Sequence, residues 1–246
     1  MPGNAAETCT AAARSALPKS TLPKSTLLVF TRVPAPGRVK RRLVPALGAA
    51  GAAALYRSMV KRTLAVARGS GLSRVILCYY GKAPGPWLRA CASNRRIPLR
   101  RQQGDDLGTR MHSALSAALA GGGAALLVGC DCPTLTAADL AAAAEKLHQG
   151  YDAALGPCAD GGYYLVGLRR PQPRLFHGIP WGGPRVMART LERCREQGLR
   201  YWLAPQRRDL DRPADLRRLR AGSLRPPRLP RKNRRAHASF FPSFPP

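Results

Sequence analysis

Scarce carboxylates mark where this sequence could do chemistry. The chain of 246 residues has 13 Asp and Glu against 41 Lys and Arg, so its surface charge does not come from acids. Asp131 ends the apolar run AALLVG, between two cysteines. Other acids that follow a short apolar segment are Asp105, Asp106, Asp160, Asp209 and Asp211. Hard divalent cations prefer carboxylate oxygens and share them with substrate phosphates. Aspartates at several strand ends therefore indicate a site for a metal and phosphates.

A basic loop follows the first apolar run. The segment TRVPAPGRVKRRL carries five cations on flexible glycine and proline, namely Arg32, Arg38, Lys40, Arg41 and Arg42. Cations on a glycine-containing loop before a helix suit a phosphate chain, because backbone N–H groups and the helix N-terminus add to them. A solvated basic loop is the alternative, and the strand-end aspartates favour phosphate binding.

The seven cysteines form no recognisable metal or disulfide framework. They stand at positions 9, 78, 91, 130, 132, 158 and 194, without C-x-x-C or His spacing. Cys130 and Cys132 would point to opposite faces if the strand continued, which is wrong for joint chelation. We interpret them as packing residues in a protein of the reducing cytoplasm.

Apolar strands alternate with helical stretches along the chain. Predicted strands cover 26–30, 73–80, 97–102, 124–129, 152–157 and 162–168, with a further short strand in RYWLAP (200–205). Predicted helices cover 48–68, a stretch that starts at about 107, 137–148 and 184–197, and a weaker one lies around 87–92. This order predicts an α/β fold with a Rossmann-like, doubly wound and mainly parallel sheet. In such sheets ligands bind at the carboxyl ends of the strands, where the aspartates fall.

Three helix starts have specific signals. Thr136 and Asp139 predict a capping box. In GGPRV, a glycine cap with Pro184 at the first helical position predicts the next start. Arg212, before Pro213, offers no side-chain acceptor, which predicts a weaker start there.

The ends of the chain differ from its centre. We predict a disordered extension over 1–25, a folded domain over 26–220, and a disordered basic tail rich in Pro and Arg over 221–246. The formal net charge of +28 would suit nucleic acid, but much of the excess lies in this tail, which is more typical of a disordered appendage. Contact of the tail with nucleic acid or an anionic surface is therefore predicted to be weak at most. No apolar run approaches the roughly 20 residues that span a bilayer, so no transmembrane segment is predicted.

Several blocks also resemble a known family. The segments FTRVPAPGRVKRRLVPALG, QGDDLGTRMHSAL, LLVGCDCPTLTAADL, LGPCADGGYYLVGL, IPWGGPRV and RDLDRPADL occur in the order seen in the rSAM/selenodomain-associated transferase family 1. Those proteins are also called arsenosugar-biosynthesis glycosyltransferase-like proteins, and they resemble the nucleotide-diphospho-sugar transferase (GT-A) superfamily. The resemblance covers residues 26 to 220 and implies a nucleotide-activated donor and a divalent metal, Mg²⁺ or Mn²⁺.

The resemblance also implies roles for individual residues. Asp131 and Asp211 correspond to metal ligands, and Asp160 corresponds to a catalytic residue on the acceptor side. Gly161 and Gly162 correspond to substrate-binding positions. The predicted nucleotide- and phosphate-binding residues are Arg32, Gly37, Lys40, Arg42 and Asp106.

Three functions remain open from the sequence. The leading prediction is metal-dependent glycosyl transfer from a nucleotide-diphospho-sugar to a small-molecule acceptor, and the other two are alternatives to it. The second is nucleotidyl transfer from a nucleoside triphosphate to a phosphorylated small molecule, which the number of cations near Lys40 favours. The third is a non-catalytic protein that binds nucleic acid through its tail.

Overall fold

The computed structural model describes residues 24–220 as one α/β domain around a seven-stranded sheet. The predicted extension and basic tail lie outside this range, apart from residues 24 and 25. The strands are β1 Ser25–Arg32, β2 Arg74–Tyr80, β3 Leu99–Arg101, β4 Ala124–Val128, β5 Ala153–Pro157, β6 Tyr163–Leu168 and β7 Tyr201–Leu203. The helices are α1 Val44–Gly69, α2 Gly85–Ser93, α3 Leu107–Leu119, α4 Ala137–His148, α5 Val186–Glu196 and α6 Pro213–Arg220.

The sheet has the order β3-β2-β1-β4-β6-β5-β7. All its pairs are parallel except those of β6, which runs antiparallel to both β4 and β5. One apolar cluster contains buried residues of α1, α2 and α4, and another contains those of α3 and α5. The predicted mainly parallel, doubly wound sheet is confirmed.

Strand β4 shows how the sequence places Asp131. All five residues of AALLV are buried, because helices cover both faces of the sheet. Leu126 and Val128 join the first cluster, whereas Ala125 and Leu127 join the second. Burying a leucine side chain stabilises a fold by about 1.5–3 kcal/mol, so the strand is firmly held. Asp131 follows it at the carboxyl edge.

Helix α1 is the longest element of the domain. Counted from Arg41, this helix is long and apolar enough to cross a membrane by length and composition alone. The sequence analysis had predicted no such segment. In the fold it is a core helix: Leu55, Met59 and Leu64 are among its buried residues. Gly48 interrupts it with φ 68° and ψ 166°, a conformation that favours glycine.

The structure confirms one predicted helix start and corrects another. At α4 the Thr136 hydroxyl accepts from the Asp139 N–H, and the Asp139 carboxylate accepts from the Thr136 N–H. The predicted glycine cap with Pro184 at the first helical position is wrong, because α5 begins at Val186 with Arg185 as its N-cap. Residues 181–185 instead form turns.

The start of α6 is also better capped than the sequence suggests. Arg212 has no side-chain acceptor, but the Asp215 carboxylate accepts from the backbone N–H groups of Asp211 and Arg212, at 3.1 and 2.8 Å. The acceptor therefore comes from the first turn of the helix, and the predicted weakness is offset.

Candidate functional site

A cleft of about 840 Å³ opens at the carboxyl ends of the strands. The basic first loop and the ends of β1, β4 and β6 contribute to its walls, together with the segments before α5 and α6. This is the edge where a doubly wound sheet binds ligands. The cleft contains most of the polar residues that the sequence analysis selected.

Lys40 lies at the centre of a group that we call the charge cluster, formed by Lys40, Arg42, Asp131 and Asp211. The Lys40 ammonium is 2.7 Å from Asp131 Oδ1 and 3.6 Å from Asp211 Oδ1. It also donates to the backbone carbonyl of Leu210 at 2.6 Å. Only 3% of the Lys40 side chain is exposed, against 46% for Asp131 and 41% for Asp211. The nearly buried Lys40 ammonium therefore forms ion pairs with two half-exposed carboxylates.

The environment of Lys40 keeps it charged. Burial lowers the pKa of its ammonium, but Asp131, Asp211 and Asp209 more than offset that effect, so the pKa is raised from its ordinary value. The Lys40 backbone has φ 47° and ψ 42°, the left-handed conformation that non-glycine residues seldom adopt. Such a conformation persists where surrounding contacts hold it, here the carboxylates and the Leu210 carbonyl.

The segment that contains Asp211 is hydrogen-bonded to the segment after β4 that contains Asp131. The Leu210 N–H donates to the Asp131 carbonyl at 2.8 Å. Arg42, whose side chain is 63% exposed, donates to Asp211 Oδ2 at 2.7 Å. The two aspartates, 80 positions apart in the sequence, are thus joined through both backbone and side chains.

Asp209 lies beside the charge cluster. Burial, followed by the charge of Asp131, raises the pKa of the Asp209 carboxyl to about 7. The Cys158 thiol donates to Asp209 Oδ1 at 3.2 Å. Burial and the neighbouring Asp209 also raise the pKa of Cys158, so this thiol stays protonated. Cys130 and Cys132 are buried and free, as expected of packing residues.

The carboxylates fit part of a metal site. Within residues 24–220, no group of three or more His, Cys, Asp or Glu residues is arranged to hold an ion alone. Asp131 Oδ1 faces Lys40, and its Oδ2 has no ion-pair or hydrogen-bond partner in the described part of the chain. Asp211 has a cation on each oxygen, one of them the exposed Arg42. The free Asp131 Oδ2, and Asp211 Oδ2 if the exposed Arg42 moved aside, would therefore hold a hard cation that takes its remaining ligands from water and phosphate.

A second part of the cleft is the glycine turn, residues 158–162. The Cys158 N–H donates to the Gly162 carbonyl at 2.9 Å, and the Gly162 N–H donates to Asp160 Oδ1 at 3.0 Å. Gly161 has φ +88°, and a Cβ there would collide with the Pro184 carbonyl. The Met187 N–H also donates to the Gly161 carbonyl at 2.8 Å. This packing explains why the chain forms turns before α5.

A third part, the Tyr80 wall, consists of Arg32, Tyr80, Gln102 and Arg110. The Arg110 guanidinium lies 4.3 Å from the centroid of the Tyr80 ring, and that of Arg32 lies 5.7 Å from it. Tyr80 is 44% exposed, although it is a large aromatic residue. Arg32 ends β1, Tyr80 ends β2 and Gln102 follows β3. Arg110 lies on α3, and the glycine turn follows β5.

The structure brings most of the predicted site residues into this cleft. Those that line it are Arg32, Lys40, Arg42, Asp131, Asp160, Gly162 and Asp211. Gly161 supports the wall through its contact with Pro184. Gly37 lies in an exposed turn with φ +71°, outside the lining.

Asp106 has a local contact that the sequence analysis did not foresee. Its carboxylate caps α3 by accepting from the Thr109 N–H at 2.7 Å, and that hydrogen bond lowers its pKa. It does not line the cleft.

Sequence reasoning missed the polar and aromatic residues of the Tyr80 wall. Tyr80 ends one predicted strand and Gln102 ends another, so the strand-end rule would have found both if applied to more than acids. Arg110 lies on a predicted helix and carried no comparable signal.

The sheet order and the cleft define a Rossmann-like domain of the nucleotide-diphospho-sugar transferase type. A solved structure from Desulfovibrio desulfuricans G20, named as a candidate nucleotide-diphospho-sugar transferase, is 33% identical, with a TM-score of 0.76 over 88% of this chain and 92% of that one. The inositol-1-phosphate CTP transferase of T. maritima shares the fold at 11% identity, with a TM-score of 0.52 over 88% and 96%.

The family follows from two sequence matches. The profile described as "Uncharacterized protein conserved in bacteria (DUF2064)" matches residues 63–183. A phosphoenolpyruvate guanylyltransferase of Rubrobacter xylanophilus is 31% identical over 188 residues, which cover 74% of this chain and 87% of that protein. The chain belongs to the DUF2064 family.

Proposed function

We propose that the cleft binds a nucleoside triphosphate and transfers its nucleotidyl group to a small phosphorylated acceptor, with release of pyrophosphate. The observation that carries this proposal is the charge of the lining. Eight cationic side chains line the cleft, Arg32, Arg38, Lys40, Arg41, Arg42, Arg110, Arg208 and Arg212, against five carboxylates. A triphosphate carries more negative charge than the diphosphate of a nucleotide sugar and suits this excess.

The position of Lys40 sharpens the charge argument. Its ammonium is engaged by Asp131, Asp211 and the Leu210 carbonyl, so its role is to position the carboxylates. Arg38 and Arg41 are exposed on the same loop and form no ion pair with another described residue. These arginines are therefore the phosphate-binding groups of the proposal, since guanidinium matches phosphate oxygens well.

The proposed reaction forms one bond and breaks one bond at the α-phosphorus. An acceptor phosphate oxygen attacks that atom, and the bond to the oxygen bridging the α- and β-phosphates breaks, so that pyrophosphate leaves with the electron pair. Arginines of the first loop bind the charge that develops on the leaving group. Asp131 and Asp211 would hold Mg²⁺ or Mn²⁺, which when bound supplies further neutralisation of phosphate charge.

The glycine turn is the proposed acceptor side. Asp160 is exposed in the cleft, and one of its oxygens is occupied by the Gly162 N–H. We assign it to orienting the acceptor through its other oxygen. Gly161 and Gly162 allow a ligand to approach the backbone closely.

The name of the Rubrobacter xylanophilus relative supports nucleotidyl transfer, since that protein is a phosphoenolpyruvate guanylyltransferase. Glycosyl transfer from a nucleotide sugar is the second candidate, and the Desulfovibrio desulfuricans structure favours it by its name and its TM-score of 0.76. The order of the sequence blocks supports the finer assignment to the rSAM/selenodomain-associated transferases. A cytoplasmic location, where nucleotides are made, agrees with the six free cysteines that the structure describes.

Product analysis distinguishes the two chemistries. The full chain is incubated with Mg²⁺, a nucleoside triphosphate and phosphoenolpyruvate as the probe acceptor, and in parallel with nucleotide sugars. We expect pyrophosphate release, which Asp131→Asn abolishes and Asp105→Asn, an exposed aspartate outside the cleft lining, preserves. Release of nucleoside diphosphate from a nucleotide sugar, without pyrophosphate from any triphosphate, would favour glycosyl transfer. Failure of every nucleotide to raise the Tm would contradict both.

A further inference from the structure

Gln102 occupies a fixed position in the Tyr80 wall. It follows β3, and its backbone N–H donates to the Tyr79 carbonyl at 2.9 Å. Its side chain then crosses the carboxyl ends of the two neighbouring strands. The Nε2 group donates to the Cys78 carbonyl of β2 at 3.0 Å and to the Thr31 carbonyl of β1 at 3.3 Å. Only 9% of the residue is exposed, and it lines the cleft.

These two hydrogen bonds determine which way the amide faces. Both acceptors are backbone carbonyls, so the NH₂ group must point towards them and both of its hydrogens are used. The Oε1 atom has no hydrogen-bond partner among the residues that the structure describes. It is also not one of the fully buried polar atoms that lack a partner, so it is accessible. Oε1 is therefore open to the cleft and can act there only as an acceptor.

The residues around Gln102 suit a flat, polar ring. Tyr80 presents a half-exposed aromatic side chain that arginines flank. Arg110 is 9% exposed and its Nη1 donates to the Asp105 carbonyl at 3.1 Å, so its guanidinium is fixed. Stacking on aromatic and guanidinium planes binds any nucleobase, because every base has a π-face. Selection among bases must then come from a hydrogen-bonding group, and Gln102 Oε1 is such a group in this wall.

We propose that Gln102 is a specificity-determining residue that selects guanine. This inference rests on the proposed function, in that it requires a nucleotide in the cleft. Guanine has two adjacent donors on its pairing edge, N1–H and the 2-amino group, which converge on one carbonyl acceptor. Adenine and cytosine each place an acceptor beside their single amino donor, and uracil places carbonyls on both sides of its N–H. An oxygen that only accepts therefore favours guanine.

Equilibrium binding to the full chain tests this assignment. Kd values are measured calorimetrically for GTP, ITP, ATP, CTP and UTP in the presence of Mg²⁺. We expect GTP to bind about tenfold more tightly than the other triphosphates, including ITP, which lacks the 2-amino group. Gln102→Met keeps the length of the side chain but removes the acceptor together with the two Nε2 hydrogen bonds, and it should erase that preference with little effect on the affinity for ATP. Gln103→Met makes the same change at an exposed neighbour and should leave every Kd unchanged.

Each outcome separates the base assignment from the proposed function. A tighter Kd for ATP, CTP or UTP than for GTP in the wild-type chain overturns the assignment and leaves nucleotide binding intact. So does an equal loss of affinity for all five nucleotides in a folded Gln102→Met variant. If that variant does not fold, the comparison of GTP with ITP on the wild-type chain decides the matter alone. Absence of binding by every triphosphate overturns the proposed function as well.

Discussion

The charge cluster and the glycine turn line the same cleft but are held in place by different forces. In the charge cluster, a nearly buried Lys40 holds Asp131 and Asp211 by charge. In the glycine turn, backbone hydrogen bonds and the close approach of Gly161 to Pro184 fix the chain, and the Asp160 side chain remains exposed. Ion pairs thus position Asp131 and Asp211, which are proposed to act on phosphate. Backbone hydrogen bonds and close packing position the glycine turn, which is the proposed acceptor side. Substitutions should therefore affect the two parts in different ways.

Removing the cation of the charge cluster should have the largest effect. We expect Lys40→Met to lower kcat/KM for pyrophosphate release by about 10³-fold, because Asp131 and Asp211 would repel each other without the ammonium between them. Steady-state kinetics with purified variants measure this loss. Lys61→Met, an exposed lysine of α1, is the matched control and should retain full activity. A rise in KM for the nucleotide at unchanged kcat would instead identify Lys40 as a phosphate ligand.

The glycine turn should respond in stability first. Gly161→Ala places a Cβ against the Pro184 carbonyl at a φ of +88°, so we expect the free energy of unfolding to fall by about 3 kcal/mol. Urea titration measures the change. Gly178→Ala has a similar φ of +65° with open space around its Cβ and should cost only about 1 kcal/mol. Equal losses in the two variants would show that the contact with Pro184 contributes nothing.

Asp160 should matter for turnover and not for folding. Asn keeps an oxygen that can accept from the Gly162 N–H, so Asp160→Asn should leave the free energy of unfolding unchanged. We expect kcat to fall about tenfold, the size of one lost charged contact to the acceptor. A loss of several thousandfold would indicate that Asp160 transfers a proton, whereas unchanged turnover would remove it from the acceptor side.

The smallest effect should be a pH dependence of stability caused by Asp209. Its pKa is raised to about 7 in the folded chain, whereas the pKa of an aspartate in the unfolded chain is about 3.9. Between about pH 4 and 7 the folded chain binds more protons at this residue, so its contribution to stability falls as the pH rises through that window. Asp209→Asn lacks this titration, so its free energy of unfolding relative to the wild type should rise as the pH rises from 4 to 8. Urea titrations across this range measure it, and a difference that does not change with pH would contradict the shift.

The sequence predicted the sheet and one side of the cleft because those depend on local patterns. The apolar run before Asp131 required a strand with both faces covered, and Thr136 with Asp139 specified the start of α4. The antiparallel direction of β6 could not be predicted, because a buried strand has the same apolar run in either direction. The start of α5 was wrong because tertiary packing of Pro184 on Gly161 overrode the local capping signal.

Most of the residues predicted for the candidate site line the cleft, but the contacts between them were not predicted. Strand-end position selected six aspartates, since the carboxyl ends of the strands share one edge, and the family resemblance then singled out Asp131 and Asp211 as metal ligands. The attachment of Lys40 to both carboxylates depends on residues 91 and 171 positions away, which sequence spacing does not encode. The fixed amide of Gln102 depends likewise on carbonyls of two other strands.

Tracing the α-phosphorus tests the central claim most directly. A nucleoside triphosphate labelled with ³³P at the α-phosphate is incubated with the full chain, Mg²⁺ and phosphoenolpyruvate as the probe acceptor, and the products are separated. If the cleft performs nucleotidyl transfer, the label appears in a new diphosphate-linked product together with an equal amount of unlabelled pyrophosphate, and Asp131→Asn forms neither. If the label stays in intact triphosphate while nucleotide sugars yield nucleoside diphosphate, the nucleotidyl transfer account is wrong.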